Sequence, residues 1–245
     1  KIHNVHISGH LKDLRDGVGS PRGGMIGWNS QSGANTVYPI TQSSVRMEII
    51  SKGAGGGGAG GFSGRMDGDE ISVPGGTFFS QNFFEGSITA QGSVNGNYMG
   101  GFFGRLLAPT PGADNLFYAE DSFVAANLDG YEYVGGLGGY LTTGQVRRCA
   151  YYGIATSTYS NPSLRLSALS RYTTATLDTC ADSFWDVTTG PPSSFTPTFC
   201  GSGGLSTEET KQQAKYIGWD FGTVWKMSDP DGRFNVESFR KGVDI

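Results

Sequence analysis

The sequence predicts an all-β fold: a glycine-rich β-solenoid, β-helix-like, of about five coils over residues 1–182, with a small capping region over 183–245 that contains a short helix. Three observations predict it. Glycine supplies 40 of the 245 residues while only 16% are charged, so close backbone packing matters more here than charged helical faces. A glycine-hydrophobic element recurs along the chain. Beyond residue 182 the repeat gives way to a proline, serine and threonine-rich loop and an aromatic-rich stretch.

The repeated element is two glycines, two residues and a further glycine. It reads Gly23-Gly24-Met25-Ile26-Gly27, Gly60-Gly61-Phe62-Ser63-Gly64, Gly100-Gly101-Phe102-Phe103-Gly104 and Gly135-Gly136-Leu137-Gly138-Gly139, with first glycines 37, 40 and 35 residues apart. Leu166-Ser167-Ala168-Leu169-Ser170 is a degenerate fifth copy. Stacked coils place like residues above like residues at ~4.8 Å, and glycine is expected at the bends, where positive φ or close backbone approach excludes a Cβ. Ahead of the glycines, Leu116, Val146 and Leu177 align as an apolar column, and Ala119, Cys149 and Cys180 as a small one. The run from Gly53 to Gly61 resembles a flexible linker in isolation, but it leads into a repeat element in phase with the others. No lysine-serine or lysine-threonine pair follows the glycines, which argues against a phosphate-cradling loop.

In the capping region, Ser206 with Glu209 has the spacing of a capping box ahead of good helix formers up to Ala214. Tyr216, Ile217, Trp219, Phe221, Val224 and Trp225 then supply apolar surface to cover the last coil.

These residues resemble the GLUG-motif repeat family of bacterial surface and secreted adhesin-like proteins. Tyr98-Met99-Gly100-Gly101-Phe102-Phe103-Gly104 and Tyr133-Val134-Gly135-Gly136-Leu137-Gly138 are the closest copies of its repeat. Ser183-Phe184-Trp185-Asp186, Gly204-Leu205-Ser206-Thr207-Glu208-Glu209 and Gly218-Trp219-Asp220-Phe221-Gly222-Thr223-Val224-Trp225 are similar, in order, to the unit that closes such arrays. Where that unit runs on into a proline-aromatic-leucine ending, this chain has Asp229-Pro230-Asp231-Gly232-Arg233-Phe234 and a charged tail. The resemblance implies a solenoid in an extracellular or cell-surface setting, with no shared catalytic residues and no single ligand.

A net charge of −4 and a pI near 5.4 give no footprint for nucleic acid, and no apolar run approaches the roughly 18 residues of a membrane span. His3, His6 and His10 are the only histidines; on a strand His6 and His10 share a face while His3 points away, so no metal site is expected. Asp229, Asp231 and Gly232 lack the full spacing of a calcium loop. Asp67, Asp69, Glu70, Glu120, Asp121, Asp178 and Asp182 offer carboxylates, but their spacing selects no catalytic pair. The expectation is a protein that is not an enzyme and uses no cofactor. Of three cysteines, Cys180 and Cys200 are the favoured disulfide, Cys149 with Cys180 the competing one, and buried free thiols the alternative.

The expected function is adhesion or the binding of a surface glycan or protein receptor. Candidate contacts are Phe78, Phe79, Phe83, Phe84, Tyr151, Tyr152 and Tyr159, weighed against interior packing. The alternatives are an extracellular filament that self-associates end to end through the open N-terminal coil, where Ile2, Val5 and Ile7 are apolar, and a viral tail-fibre or tailspike segment.

Overall fold

The computed structural model describes residues 2–13, 21–36, 39–52, 57–72, 77–91, 97–107, 117–141, 145–159, 166–172, 180–189 and 203–227. Strands make up 61% of the structure and their sheets are parallel, so the molecule is all-β. Among the described residues no helix is long and apolar enough to cross a membrane.

Three sheets receive the chain in a fixed order. A short strand, Ile40–Thr41, turns a corner into a long one, Ser44–Lys52; Gly58–Gly60 then joins the second sheet and Ser63–Ser72 the third. The next pass lays Thr77–Ser80, Phe83–Gln91, Tyr98–Gly100 and Phe103–Leu107 beside these four in the same order. Among the described residues twelve strands accumulate in the first sheet and five in each of the others. Equivalent residues therefore stack: Val45, Phe84, Val124, Tyr151 and Trp185 form one inward column, and Ile49, Ile88, Leu128 and Ala155 another. Both columns belong to a buried cluster shared by all three sheets.

The glycine element is the tight connection between the second and third sheets. Its second glycine, or Ala168 in the degenerate copy, and the residue that follows form the turn, and that following residue is wholly buried in each of four passes, as Phe62, Phe102, Leu137 and Leu169. Backbone bonds join successive turns, Gly61 N–H to Gly101 O at 2.9 Å and Phe62 N–H to Phe102 O at 3.0 Å. A Cβ on Gly60 would stand 2.1 Å from Ser63 O, and one on Gly61 would stand 2.2 Å from Gly101 O and 2.4 Å from the Phe84 ring. Glycine is required here by close approach, and not by the positive φ that a bend suggests: among the described residues, positive-φ glycines are Gly9, Gly86, Gly153 and Gly218. The degenerate fifth copy sits in register, with Val134 beside Leu166 and Gly138 beside Ser170.

Register in the first sheet is set at its corners. Asn4, Gln42, Gln81, Asp121, Arg148 and Asp182 each adopt φ between 48° and 55°, a left-handed conformation that disfavours residues with a Cβ by about 1–2 kcal/mol. The residues after Asn4, Gln42, Gln81 and Arg148 are tied to the next pass. Val5 N–H donates to Ser43 Oγ at 3.1 Å, Ser43 N–H to Asn82 Oδ1 at 3.0 Å, Asn82 N–H to Ser122 Oγ at 3.0 Å and Cys149 N–H to Ser183 Oγ at 3.1 Å. The side chains also close back on their own corners, Ser43 Oγ–H on Thr41 O at 2.8 Å and Ser122 Oγ–H on Glu120 O at 2.7 Å. A ladder of polar side chains thus satisfies buried amides that the sheet cannot reach.

This ladder corrects the expected cysteine column. Ala119 pairs with Val146 and Val146 with Cys180, whereas Cys149 pairs with Ser122. The offset is three residues, because the corner and its amide ladder dictate register where apolar spacing alone suggests another. Cys149 is a buried free thiol, and Ser183, not Cys180, faces it across the strands. Burial pushes its pKa well above the ordinary thiol value. The side chain of Cys180 and the whole of Cys200 lie outside the described residues.

The capping region also differs from expectation. Ser206 and Glu209 form the reciprocal box, with Ser206 N–H to Glu209 Oε2 at 3.0 Å and Glu209 N–H to Ser206 Oγ at 3.3 Å. The helix that follows is two 3₁₀ turns, Glu209–Lys211 and Gln213–Lys215, interrupted where Gln212 takes an extended conformation.

Candidate functional site

Successive residues of a strand face opposite ways, and the first sheet uses both faces. Phe84 points inward, while Phe83, Phe123, Ala150 and Phe184 fall in register on the other side. The C-terminal segment lies over this outer stripe. Leu205, Tyr216, Trp219 and Trp225 pack with Phe83, Phe123, Tyr152 and Phe184 in a second buried cluster. Phe184 meets Tyr216 at 5.3 Å between ring centroids and Trp219 meets Trp225 at 4.1 Å. Polar ties fix the segment as well, among them Trp219 Nε1–H to Asp182 O at 2.6 Å, Thr207 Oγ1–H to Asp186 Oδ2 at 2.8 Å and the Tyr152 hydroxyl bonded to the Tyr216 hydroxyl.

Five of the aromatic residues singled out from the sequence, Phe79, Phe83, Phe84, Tyr151 and Tyr152, are buried. Phe79, Phe84 and Tyr151 are wholly buried in the shared core, and Phe83 and Tyr152 lie under the C-terminal segment. Tyr159 is half-buried against Tyr131. Phe78 belongs to Thr77–Ser80, with its side chain outside those described.

The carboxylates divide in the same way. Arg148 clamps Asp121 with Nε–H at 2.6 Å and Nη2–H at 2.8 Å, and Arg147 and Arg148 both bond Glu120 Oε1. Burial works to raise the Glu120 pKa, but the hydrogen bonds and charges of the two arginines outweigh it and leave the group below its ordinary value. A general acid needs the opposite shift, so this pair is an ion-pair brace between passes. Asp182 is exposed. The side chains of Asp67, Asp69 and Glu70, and the whole of Asp178, lie outside what is described. Each histidine is tied to the neighbouring strand, His3 to Thr41, His6 to Ser44 and His10 to Glu48. Among the described residues no three His, Cys, Asp or Glu side chains gather.

A different group stands out at the open flank between the second and third sheets. Tyr98 and Tyr133 are neighbours in the second sheet, and Arg65, Arg105 and Tyr140 are successive neighbours in the third. The Tyr98 and Tyr133 rings stack at 5.1 Å, with Tyr140 at 4.8 Å from the first and 5.9 Å from the second. The Arg105 guanidinium stands over Tyr98 at 5.3 Å and Tyr140 at 6.0 Å. All five side chains are half-buried. Three phenol faces, three hydroxyls and two guanidiniums thus share one small surface of a protein whose net charge is −4. Such a surface offers stacking and hydrogen bonding together.

A further concavity of about 730 Å³ lies at the first pass, lined by Leu11, Lys12, Asp13, Pro21, Arg22, Gly23 and Gly27. It holds the Arg22 Nη2 to Asp13 ion pair at 3.1 Å.

The tyrosine-arginine group has a trace in the sequence that motif reading passes over. Tyr98 and Tyr133 each stand two residues before their glycine pair, and Arg65, Arg105 and Tyr140 each follow the last glycine of an element. Comparison with known proteins adds no relative: no family model, no curated protein and no solved structure matches this chain.

Proposed function

We propose that the chain is a non-enzymatic β-solenoid of the GLUG-like type, displayed at the cell surface or secreted, that binds a glycan or glycoprotein receptor. The observation that carries the reading is the half-exposed set Tyr98, Tyr133, Tyr140 and Arg105, held rigidly by backbone register on two sheets. Aromatic faces suit the apolar faces of sugar rings, and preorganised side chains lose little entropy on binding. The repeated order of strands supports the solenoid, because each pass adds one strand or corner to every sheet. The test is a glycan array probed with the purified chain and with Tyr133→Ala: wild-type binding lost in the variant supports the reading, and an array on which the two are indistinguishable removes it.

A second reading, end-to-end assembly into a filament, draws on the strand His6–Asp13, which among the described residues has a neighbour only in Ser44–Lys52. One feature weighs against it. The corner ladder ends at Val5, whose side chain has no acceptor to offer a further pass. Electron microscopy across a concentration series separates the two, regular fibres favouring assembly and isolated short rods favouring the binding module.

A further inference from the structure

We propose that the tyrosine cluster is a modification site, at which oxidation joins Tyr98 to Tyr133 by a carbon-carbon bond between their rings, a dityrosine bridge across two passes. This chemistry does not depend on the binding-module reading and is tested without a ligand. Register makes the pair. Tyr98 and Tyr133 are Cα partners in neighbouring parallel strands, so their side chains leave the sheet side by side, ~4.8 Å apart at the backbone. Backbone bonds on either side hold that register, Tyr133 N–H to Asn97 O at 2.9 Å and Gly101 N–H to Gly136 O at 3.1 Å. The rings stack with centroids 5.1 Å apart and planes 23° from parallel. Turning each ring about its own Cβ–Cγ bond converts such a stack into an edge-to-edge pair, ortho carbon beside ortho carbon, with the backbone left in place.

Coupling needs two phenols that reach each other and that the oxidant also reaches. Tyr151 is wholly buried in the core, and Tyr152 and Tyr216 lie under the C-terminal segment with their hydroxyls bonded to each other. Tyr98, Tyr133 and Tyr140 are half-buried and meet solvent. Tyr140 rises from the third sheet and stands 4.8 Å from Tyr98 with planes 59° apart, so its side chain does not run parallel to that of Tyr98 as Tyr133 does. It enlarges the target instead: a phenoxyl radical formed on Tyr140 exchanges with the neighbouring Tyr98 phenol, a step between like groups that costs little. Tyr131 and Tyr159 are a second half-buried pair, but they meet edge to face, at 5.6 Å and 77°, which aims the edge of one ring at the face of the other.

A haem peroxidase working with hydrogen peroxide removes one electron from each phenol, and each phenolic proton leaves to water. The two phenoxyl radicals pair their electrons in a new bond between ortho carbons. Each of those carbons then gives up its hydrogen as a proton while a proton returns to the ring oxygen, which restores two phenols. The net change replaces two C–H bonds by one C–C bond, and the two electrons and two protons released reduce one peroxide to two waters. The bridge ties successive passes of the sheet and closes the chain between residues 98 and 133. A cross-link over such a span stabilises the fold by restricting the unfolded chain.

The experiment treats the purified chain, dilute enough to disfavour coupling between molecules, with a haem peroxidase and hydrogen peroxide. Wild type is compared with Tyr98→Phe, Tyr133→Phe and Tyr140→Phe, each of which keeps a ring and removes its phenol, and circular dichroism before treatment confirms the fold of each. Treated wild type is expected to remain a monomer, to lose the mass of two hydrogens, to gain the blue fluorescence of dityrosine and to yield a cross-linked peptide containing Tyr98 and Tyr133. Its thermal midpoint should rise by about 5–15 °C. Tyr98→Phe and Tyr133→Phe should lose the fluorescence and the rise in midpoint, while Tyr140→Phe keeps both. Fluorescence that survives in Tyr133→Phe overturns the proposal. So does a wild-type cross-link mapped to Tyr131 and Tyr159, to Tyr98 and Tyr140 or between two molecules, and so does a monomer that shows no loss of hydrogen. Peptide mapping of wild type decides the matter by itself where a variant fails to fold, and none of these results bears on glycan binding.

Discussion

One aromatic stripe of this molecule, built from Phe83, Phe123, Tyr152 and Phe184, lies outside the first sheet beneath Tyr216, Trp219 and Trp225. A second, built from Tyr98, Tyr133 and Tyr140, flanks the other two sheets and remains half-exposed. Both arise in the same way, from register that stacks equivalent residues of successive passes. They differ in chemistry. Phenylalanine has no polar group to offer water, so its stripe gains from complete coverage, and the chain supplies the cover itself. Tyrosine has an apolar body and a polar tip, and Arg105 beside it is charged, so that stripe is stable at the boundary with water. A surface that is content when wet and also able to stack is what a reversible binding site needs.

The strongest way to break the comparison is to uncover the first stripe. Trp219 packs on Trp225 at 4.1 Å and Tyr216 at 4.9 Å, and donates to Asp182 O. Trp219→Ala should destabilise the protein by about 3–5 kcal/mol, measured by urea unfolding. It should also expose the stripe to a hydrophobic dye under native conditions. A loss below about 1 kcal/mol would mean that the segment does not shield these phenylalanines.

A finer cut tests how the cover is fastened. The Tyr216 hydroxyl donates to Thr210 O at 2.6 Å, so its bond with Tyr152 must use the Tyr152 proton. Tyr152→Phe removes one donor and leaves the Tyr216 to Thr210 bond in place, at about 1 kcal/mol. Tyr216→Phe removes both bonds and strands a buried carbonyl, at about 2 kcal/mol. Equal losses in the two variants would show that the hydroxyls do not act in this order.

The exposed stripe should respond in the opposite sense. Tyr133→Ala removes a half-buried ring, so its effect on the unfolding free energy should be about 1 kcal/mol or less, while glycan affinity falls at least about tenfold. A variant that loses several kcal/mol would place Tyr133 with the packing residues and dissolve the contrast between the stripes.

How far the sequence reveals this arrangement depends on whether a position tolerates one residue type or several. Gly60 and Gly61 admit no Cβ, so the connection between the second and third sheets is written in residue identity and its period is visible. The capping box is legible for the same reason, since Ser206 and Glu209 are matched in chemistry and spacing. The corners are not. Asn4, Gln42, Gln81, Asp121, Arg148 and Asp182 share a backbone conformation and little else, and Ser, Asn and Cys alternate in the ladder that follows. Without that ladder Cys149 aligns with Cys180, three residues out of register. The aromatic pairs mislead similarly: Phe83 and Phe84 are adjacent, yet one belongs to the outer cluster and the other to the core. The tyrosine-arginine surface is hidden because it joins Tyr98 to Tyr140 across two sheets, which only the register of both reveals.

The smallest expected effect concerns the attachment of the cover in acid. Glu209 is held at a pKa of about 2, against an ordinary value of 4.5, chiefly by its hydrogen bond from Lys215 and then by those from the Ser206 amide and hydroxyl. The folded state therefore binds the Glu209 proton less readily than the unfolded chain does. The stability this group supplies is fully present above about pH 4.5 and is lost as the pH falls toward about 2. Comparing thermal midpoints of wild type and Glu209→Gln isolates the effect: wild type should be the more stable at pH 6, with the difference closing near pH 2. The group is solvent-facing, so the difference should be the slightest of those set out above and should shrink in high salt. A difference that stays constant from pH 6 to pH 2 would show that the carboxylate charge does not fasten the segment, and that whatever Glu209 contributes comes from contacts its neutral form also makes.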